Sequence, residues 1–327
     1  MMRAVLCTRL GSPESLEIAD LPNPVPGLGE VVVDVAAVGL NFFDTLMLKD
    51  LYQLKPPVPF SPGAEFAGHV SALGDETDGF AIGDRVCGYV SYGAAREKLV
   101  VAAERLARVP ADFDLVKAAA LPVTYGTALY ALRDRGALKA GETLAVLGAS
   151  GGVGLAAVEI GAIFGARTIA CASSPEKVAF AKAHGAGAGL DYSKEDLKAG
   201  LKAFAGGQGI DVVYDPVGGE LAEQALRALG PLGRFLVIGF ASGQIPKIPL
   251  NLLLLKNCDA RGVDFGAKAR GTPVWLRDAI AELMAYGQEG RISAHVDATF
   301  PLSDCAAALA EIAGRRVKGK VVLTTGR

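Results

Sequence analysis

The sequence predicts an α/β chain in two parts, a β-rich domain followed by a doubly wound parallel sheet. Three observations carry this expectation. The chain has 327 residues, more than one ordinary domain. Its first third consists of short β-branched runs separated by glycine and proline turns. From residue 118 onward, apolar strand-like runs alternate with helical stretches, and one helix opens directly on a glycine-rich loop. A composition of 51% hydrophobic and 21% charged residues suits a packed chain rather than a disordered one. Lys and Arg number 33 against 35 Asp and Glu, a net charge of −2, so no field exists to hold polyanions and nucleic acid is not an expected partner.

Residues 1–20 interrupt their apolar stretch at Arg9 and soon turn acidic, unlike a secretory signal, so a cytoplasmic location is expected. The turn cluster PNPVPGLG at 22–29 precedes a β-branched strand at 30–38, and further strands are predicted at 68–73, 85–90 and 96–101. An irregular barrel or sandwich accommodates them. An Ala-rich helical stretch at 118–132 opens the second pattern. It continues with strand 143–147, a helix from Gly152, strand 168–172, helix 175–184, a short strand at 189–191, helix 194–204, strand 210–214, helix 220–229 and strand 234–239. The window 145–166 carries Glu159 and clustered glycines, so no membrane span is predicted there. The apolar run IPLNLLLL at 248–255 reads as core or as a subunit contact, with core the default. A strand at 259–265, a helix at 273–286 and a strand at 320–324 complete the chain, the tail rejoining the first domain. The resulting division is 1–122, 123–264 and 265–327.

Cys7, Cys87, Cys171, Cys258 and Cys305 are too dispersed for a disulfide framework or a compact metal cluster. His69, His184 and His295 are not at metal-ligand spacing. The informative segment is TLAVLGASGGVG, residues 143–154. A buried strand runs into glycines that open a helix, the arrangement that lets backbone N–H groups meet a pyrophosphate. Gly151 and Gly152 allow close approach and Gly154 allows the helix to pack on its strand, while Ala149 stands where the usual first glycine would be. The strand that follows ends in Ser173-Ser174-Pro175-Glu176-Lys177, without the acid that binds a ribose 2′-hydroxyl. Hydroxyls and a cation suit a 2′-phosphate, so NADPH is expected, with Ser173, Ser174 and Lys177 at the phosphate.

Three segments together, GLNFFD at 39–44, PFSPGAEFAG at 59–68 and ASGGVG at 149–154, give a resemblance over the whole chain. The chain resembles the zinc-free, zeta-crystallin-like quinone oxidoreductases of the medium-chain dehydrogenase/reductase family. The resemblance implies a GroES-like catalytic domain plus a Rossmann domain. Where zinc-dependent relatives supply a cysteine and a Gly-His-Glu segment, this chain has Leu40-Asn41 and Gly63-Ala64-Glu65, and the four-cysteine lobe is missing after Cys87. No metal is therefore expected.

The resemblance also implies site residues. Asn41, Asp44 and Tyr52 become catalytic candidates, with Asp44 also read as a helix cap. Asn41, Phe42, Thr127, Tyr130, Ser150, Gly151, Gly152, Val153, Tyr192, Gly239, Phe240, Phe265 and Arg315 join Ser173, Ser174 and Lys177 as cofactor contacts. Leu46 stands where some quinone oxidoreductases carry tyrosine. The implied activity is reduction of quinones or related activated carbonyl compounds by metal-free hydride transfer, in a homodimer acting on small molecules. An enoyl thioester reductase using Tyr52 as proton donor is the alternative, and a non-catalytic NADPH-binding protein a third reading.

Overall fold

The turn cluster at 22–29 ends where strand pairing becomes dense. In the computed structural model, which describes residues 1–326, β1 (Met2–Cys7) and β2 (Leu16–Leu21) form an antiparallel pair. A long strand, β3 (Glu30–Leu40), follows. It pairs along one edge with β4 (Glu65–Leu73), which continues to β5 (Arg85–Tyr89), while β6 (Lys98–Ala102) takes the first half of its other edge and β7 (Leu106–Arg108) adds to β5. The strand expected at 96–101 thus begins later, Arg96 making only an isolated bridge to Ala4. Helix α1 (Phe42–Leu48) leaves β3 after a single residue, Asn41. Alternating valines of β3 pack with Phe66 of β4 in the core of this unit, where burying each such side chain contributes roughly 1.5–3 kcal/mol.

The helix expected at 118–132 is divided. Pro122, which offers no N–H, separates α2 (Leu115–Ala118) from α3 (Thr124–Leu129), and residues 130–135 form a π-helical turn. Beyond it lie β8 (Thr143–Leu147), α4 (Gly152–Ile163), β9 (Arg167–Ala172), α5 (Pro175–Ala183) and β10 (Ala188–Asp191). Then come α6 (Leu197–Phe204), β11 (Ile210–Asp215), α7 (Gly219–Ala228), β12 (Leu229–Val237), α8 (Asn251–Lys256) and β13 (Asp259–Gly262). All six strands are parallel, in the order β10-β9-β8-β11-β12-β13. All five residues of β8 are buried, as a strand covered on both faces requires.

Several boundaries differ from the sequence expectation for local reasons. Helix α6 starts at Leu197, not 194, because Asp196 caps it through Ala199 N–H at 2.7 Å while Asp191 holds Ser193 in a turn. Strand β12 begins at Leu229 and ends at Val237, leaving Gly239 in a loop. Strand β13 ends at Gly262, and Phe265 opens α9 (Phe265–Gly271) instead of closing a strand. The 248–255 run is core only in part: Leu252 is buried in the core with Ile248 and Leu253 packed against it, whereas Leu250, Leu254 and Leu255 are each 75% exposed.

Helix α10 (Pro273–Gln288), strand β14 (Val296–Pro301), helix α11 (Cys305–Ala313) and strand β15 (Lys320–Thr324) complete the chain. Strand β15 pairs with β14 and with the second half of β3, so the tail rejoins the first unit. Two compact units result. One holds Met1–Gly126, Gly266–Gly290 and the tail from Ala294; the other holds Thr127–Phe265 and Arg291–Ser293. The short return to the second unit has a cause in Glu159 of α4. Its buried carboxylate accepts from Ser293 N–H at 2.9 Å and Ser293 Oγ at 2.6 Å, and pairs with His184 Nδ1 at 2.7 Å.

Candidate active site

In the first unit, β3 and β4 bring Asn41 and Glu65 face to face. Asn41 is the N-cap of α1, and its Nδ2 donates to Glu65 Oε1 at 2.8 Å. Lys320, the first residue of β15, donates from Nζ to the same Oε1 at 2.6 Å, to Asn41 Oδ1 at 2.8 Å and to the Leu40 carbonyl at 2.6 Å. Glu65 Oε2 accepts Val123 N–H at 2.7 Å. The two charged side chains are 3% and 0% exposed, so their desolvation is offset only because each polar atom is met at close range.

Asp44 lies in the first turn of α1 and is fully buried. Its Oδ2 accepts Asn41 N–H at 2.8 Å and its Oδ1 accepts Gly63 N–H at 3.0 Å. Burial pushes its pKa up to about 7; the two N–H donors and Lys320 oppose that rise and Glu65 adds to it. The carboxylate therefore fixes Asn41 and the 61–65 segment and faces no solvent. Tyr52 is half-buried and stacks on Phe43, ring centroids 5.3 Å apart and planes at 20°. Phe42 is half-buried in the first turn of α1, and Arg315 follows α11 with φ at 55°.

In the second unit the candidates gather at the carboxyl edge of the sheet. Gly148, at φ 58°, turns the chain out of β8, and Gly151 caps α4 with no side chain to occupy its first-turn N–H groups. A Cβ on Gly154 would lie 2.2 Å from the Gly148 carbonyl oxygen, so only glycine lets the helix begin this close to the loop. Ser150, Gly152 and Val153 belong to the same cradle. At the end of β9, Ser174 caps α5 by accepting Lys177 N–H at 3.3 Å, and Lys177 Nζ reaches Ser173 Oγ at 3.4 Å. Tyr192 N–H donates to the Ala172 carbonyl at 3.1 Å, which sets the end of β10 beside this group. Gly239 and Phe240 follow β12 at the same edge, and Phe265 follows β13. Thr127 is buried in α3, and Tyr130 starts the π-helical turn that packs on α4.

Three residues escaped the sequence reading. Glu65 and Lys320 were visible only as a carboxylate after Gly63-Ala64 and a cation heading an apolar strand. Asp215, at the end of β11, accepts Val217 and Gly218 N–H at 2.8 and 2.9 Å and shapes the next loop; burial raises its pKa and those two donors oppose the rise. The dinucleotide cradle fits a pyrophosphate. The first unit's polar cluster does not fit zinc, because Asn41, Ala64 and Glu65 offer one carboxylate and an ammonium already holds it. All five cysteines are buried, and burial raises every one of their thiol pKa values, away from nucleophilic use.

Residues 27–111 match the family model described as "Alcohol dehydrogenase GroES-like domain", and residues 152–282 that described as "Zinc-binding dehydrogenase". "Quinone oxidoreductase-like protein 2" of Mus musculus is 40% identical over 324 residues, 98% of this chain and 92% of the relative. This chain belongs to the medium-chain dehydrogenase/reductase family, in its quinone oxidoreductase group. "Quinone oxidoreductase" of Pseudomonas aeruginosa is 36% identical over 326 residues, 99% of each chain. The crystal structure of Escherichia coli quinone oxidoreductase complexed with NADPH superposes with a TM-score of 0.92 at 30% identity, covering 99% of this chain and 100% of that one. The GroES-like and Rossmann architecture of the family accounts for both units. Among the described residues, no helix is long and apolar enough to cross a membrane.

Proposed function

We propose that this chain is a cytoplasmic, homodimeric reductase that uses NADPH to reduce quinones or related activated carbonyl compounds without a metal ion. The observation that carries this reading is the carboxyl edge of the second unit. There a cradle only glycine can form stands beside a Ser173–Lys177 pair, in the place where an NAD site would present a carboxylate. The names of the P. aeruginosa relative and of the E. coli NADPH complex support it.

Bound NADPH supplies hydride from its nicotinamide C4. The chain's own residues hold and orient. First-turn N–H groups of α4 take the pyrophosphate, and Ser173, Ser174, Lys177 and Tyr192 take the adenosine 2′-phosphate. Asn41 serves the reacting end, held by Glu65, Lys320 and Asp44, which act as positioning residues. A reduced quinone collects its protons from solvent, so no buried acid is required. The leucines at 250, 254 and 255 and the short edge strand β13 support a homodimer.

The test is purified protein with NADPH and 1,4-benzoquinone, followed by loss of reduced-cofactor absorbance. Turnover is expected. NADPH binding without oxidation by any quinone, enone or enoyl thioester would overturn the reading in favour of a binding protein. Tyr52→Phe separates quinone from enoyl thioester chemistry: quinone reduction should fall only slightly, whereas a thioester reductase that needs this phenol as its proton donor would be nearly silenced.

A further inference from the structure

The second unit's sheet has another polar end. At its amino edge, the loop before β11, the start of β12 and the end of α8 surround an open cavity of about 240 Å³. Lys202 of α6 and Lys256 of α8 line it, with Asn257 and the glycines at 207 and 209. The loop has no room for side chains at its base. Gly209 sits at φ 92°, and a Cβ there would meet Gly230 N at 2.4 Å, so glycine keeps the concavity open.

Lys256 Nζ donates to the Leu229 carbonyl at 2.5 Å, which pins the ammonium in the cavity wall. Burial lowers the Lys256 pKa, and the charges of Lys202 and Lys198 lower it further. Among the described residues no carboxylate is bonded to Lys198, Lys202 or Lys256. Lys202 and Lys256 belong to two elements separated in sequence and converge on one hollow, with Lys198 one turn earlier on α6. Like charges drawn together without a counter-ion disfavour one another, and a bound anion would reverse the sign of that energy.

We propose that this cavity binds a phosphoryl group, free or as the headgroup of a lipid, separately from the dinucleotide at the opposite edge of the sheet. Two ammonium groups hold such an oxyanion as point charges, and the adjacent backbone leaves space for its oxygens.

Isothermal titration with pyrophosphate on protein saturated with NADPH, which keeps the α4 cradle filled, tests the site on the wild type and on Lys202→Ala, Lys202→Arg and Lys177→Ala. Lys202→Ala should weaken binding about tenfold or more, the loss of one charge-assisted contact, while Lys202→Arg retains most of it and Lys177→Ala leaves it unchanged. Quinone turnover should not respond to Lys202→Ala. Flotation with vesicles of equal phosphatidic acid and phosphatidylcholine distinguishes the sources. Lys202-dependent flotation assigns the phosphoryl group to lipid, and Lys202-dependent pyrophosphate binding without flotation assigns it to a soluble molecule. Absence of both, or binding that Lys202→Ala spares, overturns the proposal.

Discussion

The two units prepare for chemistry with different materials. The first uses buried charge: Asn41, Glu65 and Lys320 meet across sequence separations of 24, 255 and 279 residues. The second uses bare backbone, a loop and a helix start within residues 148–154 whose selectivity rests on what Gly154 lacks. A charge network of this kind is strong when complete and costly when one member goes, because the survivor stays desolvated. A backbone cradle fails more gently, through strain and lost ligand contacts. Perturbing each unit in turn should reveal that asymmetry.

The largest effect is expected from Lys320→Met, which leaves the Glu65 carboxylate buried without its cation. Denaturant unfolding should register a loss of about 3–5 kcal/mol, and Lys320→Arg should recover part of it. A few kcal/mol are at stake at Asp44 as well, and pH exposes them. Its folded pKa of about 7 lies above the ordinary 3.8, so the folded chain holds this proton more tightly than the unfolded one. The contribution is fully present below about 3.8 and is lost as pH rises to about 7. The stability difference between wild type and Asp44→Asn should therefore shrink over that interval; a difference independent of pH would show that Asp44 does not titrate there.

On the second unit, Gly154→Ala forces the new methyl against the Gly148 carbonyl. It should cost about 1–3 kcal/mol and weaken NADPH binding, both readable by thermal shift with and without cofactor. Smaller again is Lys177→Ala. The KM for NADPH should rise about tenfold while that for NADH stays put, narrowing the preference between them; an unchanged preference would remove Lys177 from the explanation.

What the sequence determined alone is what neighbouring residues decide together. The break from β-branched runs to alternating strands and helices set the fold class, since side-chain period and turn residues are local properties. The glycine loop at 148–154 and the Ser173-Ser174-Lys177 group were visible as candidates for the same reason, because each is made by one short stretch of backbone, while the pairing of β8 with β9 sets both at one edge. The tertiary structure alone decided which distant side chain satisfies which buried group. Nothing near Lys320 in sequence says that the register of β15 on β3 will set its ammonium between Asn41 and Glu65. Nothing near Glu159 says that Ser293 will return to it. The leucines at 250, 254 and 255 read as core by composition and lie exposed, since this segment turns Ile248, Leu252 and Leu253 toward the core instead. Burial makes an unpartnered polar group expensive, so the chain closes such pairs wherever the strands allow, and that choice is written in three dimensions.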